Sequence, residues 1–182
     1  MSDIHVAPLT WGTGKQTFEM FLEPTCPFSN KAFNKLDSFL AEAGEDQVTV
    51  TIHLQSQPWH MYSSVIVRCI LAAASLPEGR EAARKVLQAV ADHREEFEFE
   101  DHCRGANMDT TPQQIIQRIE DYSGVRLAKA FDNPALQKAI KRHAKYGRQN
   151  GIHVSPTFMV NGLTTTLGSG DSISTWVQAL SA

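Results

Sequence analysis

One cysteine stands where reactive chemistry is most readily expected. The stretch FLEPTCPFSNKAF, residues 21–33, places Cys26 and Pro27 where an apolar run ends and a helical pattern begins. Unpaired backbone N–H groups at a helix N-terminus stabilise a thiolate, and the thiolate is the form that attacks a disulfide sulfur. Cys26 could instead fill an apolar slot as a small hydrophobic side chain. The preceding strand and the proline that follows favour the reactive thiol.

Ser29 occupies the position at which a two-cysteine site would carry its second thiol. A hydroxyl cannot form a disulfide, so it cannot release a bound substrate as a second cysteine would. It can donate a hydrogen bond to the Cys26 thiolate. The motif CPFS therefore predicts one-thiol chemistry, in which a mixed disulfide forms at Cys26 and another thiol resolves it.

The other two cysteines are weaker candidates. Cys69 lies inside an apolar helical pattern and is interpreted as a core residue. Cys103, in EDHCRG, could resolve the mixed disulfide, although a plain surface thiol is the simpler interpretation. Three widely spaced cysteines do not suggest a disulfide framework.

The segments around Cys26 predict a strand, a helix and a second strand. Residues 17–22 form a short, largely apolar run. Pro27 suits the first turn of a helix whose apolar spacing continues to a stop at Gly44. Residues 47–55 alternate between apolar and polar side chains, as a strand does. A crossover of this length implies that the two strands are parallel.

The rest of the chain divides into a helical part and a return to strands. Helical patterns fill residues 61–150, with Thr111 and Asn133 as N-caps before Pro112 and Pro134 and with Gly151 as the last stop. Asn161-Gly162 predicts a hairpin turn, and Asp171 is expected to cap a final helix. The predicted class is α/β, with residues 1–60 and 151–182 forming one domain and residues 61–150 a helical insertion.

This order of elements, together with two motifs, resembles the DsbA-like branch of the thioredoxin superfamily over nearly the whole chain. EPTCPFS is similar to that family's acidic-Pro-x-Cys-Pro-aromatic-Cys entrance, except at Ser29, and GIHVSPTFMVNG is similar to its cis-proline loop. The resemblance implies a thioredoxin-like fold and a thiol–disulfide oxidoreductase or protein disulfide isomerase. It also implies a cis Ser155–Pro156 peptide facing Cys26.

The same resemblance suggests roles for the neighbouring residues. Cys26 is the expected nucleophile, with Ser29 beside it and Glu23 relaying protons if its carboxylate is partly buried. The expected substrate contacts are Pro27, Phe28, His60, Ser155, Pro156 and Thr157. For Glu23 an exposed loop carboxylate is an equal alternative, and for His60 a helix-capping role.

A second family resemblance gives the alternative function. Kappa-class glutathione transferases and hydroxychromene carboxylate isomerases share this fold but carry a serine where Cys26 stands. Their glutathione is held by the cis-proline loop and by a turn that GSGD, residues 168–171, resembles. That reading predicts glutathione contacts at Ser155, Ser169, Gly170 and Asp171. The cysteine at position 26 fits disulfide exchange better, with glutathione as a co-substrate and no bound cofactor. A non-catalytic binding module is disfavoured because both motifs are intact.

Composition excludes several other classes of function. The net charge of −3 and the pI near 6.1 leave no electrostatic footprint for nucleic acid. A local basic cluster (Lys138, Lys141, Arg142, Lys145 and Arg148) is interpreted as the solvated face of a helix. No apolar run is long enough to cross a membrane, the start shows no signal peptide, and the histidines lack metal-ligand spacing. A cytoplasmic protein acting on protein or small-molecule thiols and disulfides is expected.

Overall fold

The two strands predicted around Cys26 lie in the middle of a five-stranded sheet. The structure is a computed structural model that describes residues 5–98 and 107–181. The strands are β1 (Thr10–Gly12), β2 (Gln16–Leu22), β3 (Val48–Leu54), β4 (Thr157–Val160) and β5 (Leu163–Thr164). Their order is β1-β3-β2-β4-β5. Strands β2 and β3 are parallel, as predicted, and the other three pairs are antiparallel.

The helices occupy three stretches of the chain, after β2, after β3 and after β5. Their bounds are α1 (Pro27–Phe33), α2 (Leu36–Ala43), α3 (Ser63–Ala74), α4 (Arg80–Asp92), α5 (Pro112–Ser123), α6 (Ala128–Phe131), α7 (Leu136–Gln149) and α8 (Ile173–Ala179). A 3₁₀ turn, Arg94–Phe97, follows α4. Helices α3 to α7 all come between β3 and β4. The division into domains at residues 60 and 150 stays a prediction.

The main core lies on one face of the sheet. In the β2–β3 register Phe18 stands beside Val50, and both side chains are fully buried. The Phe18 ring lies 4.5 Å from the ring of Phe39 in α2 and 5.4 Å from that of Trp176 in α8, centroid to centroid. Because side chains of a strand alternate between faces, the apolar positions predicted from β3 all point into this core.

The opposite face carries a smaller apolar cluster and several polar groups. Phe21 packs with Ile152 and Met159, and its ring stacks on that of Tyr146 in α7. Next to it, Oε1 of Glu19 accepts a hydrogen bond from the Tyr146 hydroxyl. Helix α7 thus covers this face only in part.

The prediction of one continuous helix from Pro27 to Gly44 is wrong. The structure has two helices, with the break at Asn34 and Lys35. The Lys35 amide bonds the carbonyl of Ala32, three residues back instead of four, so the α-helical hydrogen-bond ladder is interrupted there. The apolar spacing survives the break, which is why the sequence pattern did not reveal it.

Two of the predicted N-caps are also wrong. Helix α8 is capped by Ser172, whose hydroxyl accepts from the Thr175 amide at 3.1 Å, while the Asp171 carboxylate accepts from the Gly168 amide in the preceding turn. Asn133 accepts from the Ala135 amide, and α7 begins only at Leu136. Both side chains close turns that precede a helix, a use that competes with capping for these residue types.

Other local predictions are confirmed. Thr111 and Gln114 form a reciprocal capping box at the start of α5, with Pro112 as its first residue. Asn161 and Gly162 have positive φ angles of 49° and 81° and join β4 to β5, as a type I′ hairpin turn requires.

Strand β1 was not predicted. Its sequence, TWG, is too short to show alternation. The chain then turns at Gly14, where an added Cβ would lie within 2.2 Å of backbone atoms of Gln47 and Val48. Gly14, the second glycine of WGTGKQT, therefore permits a close approach between two backbone segments.

Candidate active site

Cys26 lies where β2 has ended and α1 begins. Its amide donates to the carbonyl of Glu23 at 3.1 Å, which closes the connecting turn, and its own carbonyl accepts from the Asn30 amide at 3.0 Å. Cys26 is the N-cap residue of α1 and Pro27 is the first helical residue, a position where proline loses no hydrogen bond. The side chain of Cys26 is 6% exposed.

The loop before β4 lies directly against this thiol. The Ser155–Pro156 peptide is cis, and the carbonyl oxygen of Ser155 lies 3.6 Å from Cys26 Sγ, within the range of a weak S–H···O hydrogen bond. The Ser155 hydroxyl donates to Oε1 of Gln57 at 3.0 Å. Hydrogen bonds therefore connect three distant segments of the chain: the start of α1 contacts the loop before β4 through the sulfur, and that loop contacts the loop after β3 through Gln57.

A fully buried carboxyl group lies in the turn before Cys26. Oε2 of Glu23 accepts from the amide and the hydroxyl of Thr25, at 2.9 and 2.8 Å. Oε1 is buried without a hydrogen-bond partner in the described residues, although the hydroxyl of Ser63 lies close enough to favour the charged form. Burial raises the pKa of Glu23 above 4.5, and it outweighs the opposing effects of His60, Ser63 and Thr25.

His60 is buried next to that carboxyl group. Its Nε2 lies 3.6 Å from Oε2 of Glu23, and its Nδ1 hydrogen-bonds to Oε1 of Glu98. Oε2 of Glu98 in turn accepts from Arg94 at 2.6 Å. Burial alone would lower the pKa of His60, but the hydrogen bond to Glu98 and the charges of both carboxylates outweigh it and raise that pKa above 6.5. The substrate contact expected of His60 stays a prediction.

Ser29 is buried in the first turn of α1 and has a structural partner. Its hydroxyl oxygen accepts from the Glu23 amide at 3.2 Å, so it ties α1 to the turn before Cys26. The described hydrogen bonds of Ser29 do not include one to Cys26 Sγ. Its hydroxyl proton is not used in the bond to Glu23, so donation to a thiolate stays a prediction.

The turn at residues 168–171, which was expected to bind glutathione, is hydrogen-bonded to Lys35 and Trp176. Lys35 donates from Nζ to the carbonyls of Ser169 and Asp171, and the Trp176 indole N–H donates to the carbonyl of Gly168. Lys35 follows the C-terminal end of α1, whereas Cys26 caps its N-terminal end. Seven helical residues span about 10 Å, so this arrangement does not favour the turn as part of the site around Cys26.

The second described cysteine does not belong to the site. Cys69 is fully buried in α3, and burial raises the pKa of its thiol to about 12. A thiol with that pKa is almost never ionised near neutral pH and is a poor nucleophile. Its prediction as a core residue is confirmed. Cys103 lies outside the described residues.

Four exposed apolar side chains belong to the three segments that carry Cys26, Gln57 and Ser155, and three of the four were not predicted from the sequence. Phe28 is 63% exposed and Val154 is 65% exposed, and these residues adjoin the two motifs. Trp59 and Met61 are also exposed and stand on either side of the buried His60. We call these four residues the apolar rim. Large apolar residues in a polar loop are the signal that could have identified Trp59 and Met61, whereas Gln57 carried no such signal.

Metal sites and membrane-spanning helices are both absent from the described part of the chain. Residues 5–98 and 107–181 contain no group of three or more His, Cys, Asp or Glu side chains arranged to hold a metal ion. None of the helices described there is long and apolar enough to cross a membrane.

Comparison with solved structures decides the family. A candidate protein-disulfide isomerase from Pseudomonas syringae is 65% identical in sequence and superposes with a TM-score of 0.94, over 95% of this chain and 97% of that one. This chain belongs to the family of that candidate protein-disulfide isomerase, and its fold is DsbA-like. The predicted fold class is thereby confirmed. Neither protein-family models nor curated proteins gave a match.

More distant members of the superfamily share the fold. Pseudomonas aeruginosa DsbA2 is 16% identical with a TM-score of 0.64, over 98% of this chain and 95% of that one. The catalytic domain of Proteus mirabilis ScsC is 18% identical with a TM-score of 0.67, over 98% and 92%. At these identities the likeness concerns the DsbA-like fold alone.

Proposed function

We propose that this DsbA-like protein catalyses thiol–disulfide exchange through one nucleophilic thiol, that of Cys26. A thiol–disulfide oxidoreductase or isomerase is the class of enzyme to which its family points. The observation that carries the single-thiol proposal is the approach of Cys26 Sγ to the Ser155 carbonyl, with a serine at position 29. A nucleophile beside a loop with free backbone groups can receive an extended substrate chain.

The exchange has two balanced steps. The Cys26 thiolate attacks one sulfur of a substrate disulfide, the S–S bond breaks, and the other substrate sulfur leaves as a thiolate that takes up a proton. A second thiolate then attacks the mixed disulfide and releases Cys26. When that thiolate is a different cysteine of the same substrate, a new substrate disulfide forms and the result is isomerisation. When it is glutathione, the substrate sulfur is left in a mixed disulfide with glutathione, and a second glutathione thiolate attacks that bond to give oxidised glutathione and the reduced substrate.

Glu23 is proposed as the proton store for these steps. Its buried carboxyl group has a raised pKa, so it binds and releases a proton closer to neutral pH than an exposed carboxyl group does. Thr25 and His60 hold its Oε2 in place. The Cys26 proton would pass to this carboxylate before the attack and return to the leaving thiolate afterwards.

Protein disulfides are the proposed main substrates. The apolar rim of Phe28, Trp59, Met61 and Val154 exposes large side chains on the three segments that carry Cys26, Gln57 and Ser155. Exposed apolar clusters of this kind favour binding of apolar peptide segments. Glutathione is proposed as the resolving thiol. The alternative of a glutathione-dependent transferase or isomerase is not favoured, because the 168–171 turn is fastened by Lys35 beyond the far end of α1.

Mass spectrometry of the intact protein tests this proposal. After exposure to oxidised glutathione and tryptic mapping, we expect one glutathione on Cys26, and release of that glutathione by a reduced peptide thiol. Cys26 should also react with iodoacetamide at neutral pH faster than the same cysteine in the unfolded chain. The absence of an adduct, with alkylation no faster than in the unfolded chain, would contradict the proposed nucleophile.

A further inference from the structure

A second concave site lies far from the chemistry assigned to Cys26. It is a cavity of about 810 Å³ bounded by the N-terminal residues 5–9, by β3 and by α7. Its size falls in the range of small-molecule pockets, which is about 300–1,000 Å³. Cys26 and the apolar rim are not among the residues that line it.

The cavity has one apolar wall and one cationic wall. Val6, Ala7 and Leu9 form part of the apolar side, together with Ala139 of α7. Lys138, Arg142, His143 and Tyr146 come from α7 at spacings of four, one and three residues, which places them on neighbouring turns of one helix face. No acidic side chain is among the described residues that line the cavity.

Lys138 and Arg142 have no carboxylate partner among the residues that the structure describes. The ion pairs of the described residues include neither Lys138 nor Arg142. Glu19 lies behind the cavity lining, but its Oε1 is engaged by His53 at 2.8 Å and by the Tyr146 hydroxyl at 2.9 Å. Two unpaired positive charges thus stand at the same opening.

His143 adds a fixed neutral donor to these cations. Its Nδ1 accepts from the Leu54 amide at 3.2 Å, so the proton of the neutral ring is on Nε2. Burial, with the nearby His53 and Arg142, lowers the pKa of His143 to about 4, which keeps the ring neutral at physiological pH. An N–H donor that does not lose its proton or gain a second one is suited to binding an anion.

The basic cluster of α7 therefore separates into two parts. Lys138 and Arg142 line the cavity, whereas Lys141 and Lys145 on the same helix do not. All four side chains are exposed, so general solvation is common to them. Only Lys138 and Arg142 line the same concave volume as the His143 donor.

We propose that this cavity binds a small organic anion with an apolar body. The anionic group would accept hydrogen bonds from Lys138, Arg142 and Nε2 of His143, and the apolar body would lie against Leu9 and Ala139. Binding here does not depend on the chemistry proposed for Cys26.

Fluorescence titration with anilinonaphthalene sulfonate, an aromatic anion that emits strongly in apolar surroundings, tests the proposal. The double substitution Lys138→Gln with Arg142→Gln should raise the Kd at least about tenfold, which corresponds to about 1.4 kcal/mol, because hydrogen bonds from charged donors are stronger than those from neutral ones. The matched control is Lys141→Gln with Lys145→Gln, which removes the same charge from the same helix and should leave the Kd unchanged.

Two results would overturn the proposal. Equal weakening by both double variants would mean that the probe responds only to overall charge. Weakening by Phe28→Ala, with neither lysine-containing double variant affected, would place the probe at the apolar rim. All substituted side chains are exposed, so the variants should fold. Alkylation of Cys26 at the wild-type rate verifies this for the two double variants, and an unchanged thermal unfolding midpoint verifies it for Phe28→Ala.

Discussion

Cys26 Sγ lies 3.6 Å from the carbonyl oxygen of Ser155, a residue 129 positions further along the chain. This contact joins the start of α1 to the cis-proline loop, and it places the thiol beside backbone groups that a bound peptide could use. The Gln57–Ser155 hydrogen bond holds the same loop from the other side.

Replacing Cys26 by alanine should abolish disulfide exchange, because the proposed reaction has no other nucleophile. Cys69→Ala is the matched control. Cys69 is fully buried, and its thiol has a pKa of about 12, so its loss should reduce stability while exchange continues. The assay is the rate of reactivation of a protein with scrambled disulfides. Wild-type activity in the Cys26 variant would contradict the assignment.

Ser29→Cys should convert the site into a dithiol. The new thiol would stand in the first turn of α1, three residues after Cys26, and should form an internal disulfide that competes with the mixed disulfide. Intact mass after oxidation should then show loss of two hydrogens and less glutathione adduct. An oxidised variant that keeps both free thiols would contradict this expectation.

Ser29→Ala tests the structural role of Ser29 without adding a second thiol. It leaves the buried Glu23 amide without its acceptor, which should cost about 1–3 kcal/mol in the free energy of unfolding. Denaturant titration of the variant and the wild type measures this difference. A change close to zero would mean that the hydrogen bond contributes nothing to folding.

Glu23→Gln should change how stability depends on pH. The native state holds the Glu23 proton more tightly than the unfolded chain does, because burial raises the pKa of Glu23. The free energy of unfolding should therefore fall as pH rises from about 4.5 through the raised pKa. The raised pKa of His60 also makes the free energy of unfolding fall as pH rises from about 6.5. Loss of the Glu23 charge makes this contribution of His60 smaller.

Denaturant unfolding at a series of pH values between 5 and 8 measures this effect. The variant should lose less stability across that range than the wild type. Substitution of the exposed Glu42 by glutamine is the control and should leave the profile unchanged. An identical pH profile in the Glu23 variant would show that Glu23 is ionised as readily in the folded chain as in the unfolded one.

Acidification should destabilise the protein through His143. The folded pKa of about 4 lies below the ordinary value of 6.5, so the stabilising contribution is complete above pH 6.5 and is lost as pH falls towards 4. One pKa unit corresponds to about 1.4 kcal/mol, and the loss should therefore reach about 3 kcal/mol. His143→Gln, which keeps an acceptor for the Leu54 amide, should remove most of this acid dependence. Substitution of the exposed His153 by glutamine should not.

Phe28→Ala should distinguish protein substrates from small ones. Phe28 is 63% exposed, so its loss costs little folding stability but removes apolar contact area from the rim. KM for a protein disulfide should rise about fivefold, while the rate with oxidised glutathione should change little. Leu163→Ala, an equally exposed apolar residue on β5, is the control. Equal effects on both substrates would argue against a peptide-binding rim.

Much of the architecture could be predicted because its determinants are local. The alternation from Val48 to Leu54 depends on neighbouring side chains pointing to opposite faces, and the turn at Asn161-Gly162 depends on two residues that tolerate positive φ. Pro27 marks the start of a helix for a reason contained in its own ring. Such signals act over a few residues, so they can be read along the chain.

Local signals were enough to predict that a cysteine stands between a strand and a helix, that position 29 carries no second thiol, and where most helices and strands lie. They did not predict β1 or the break between α1 and α2. Only the tertiary structure decided that the Ser29 hydroxyl binds the Glu23 amide, that His60 is buried against Glu23, and that Lys35 fastens the 168–171 turn. It also placed Lys138 and Arg142 of α7 in the lining of a cavity, and Lys141 and Lys145 outside that lining. These outcomes depend on distances and burial between segments remote in sequence, and desolvation and electrostatic interactions act through space rather than along the chain.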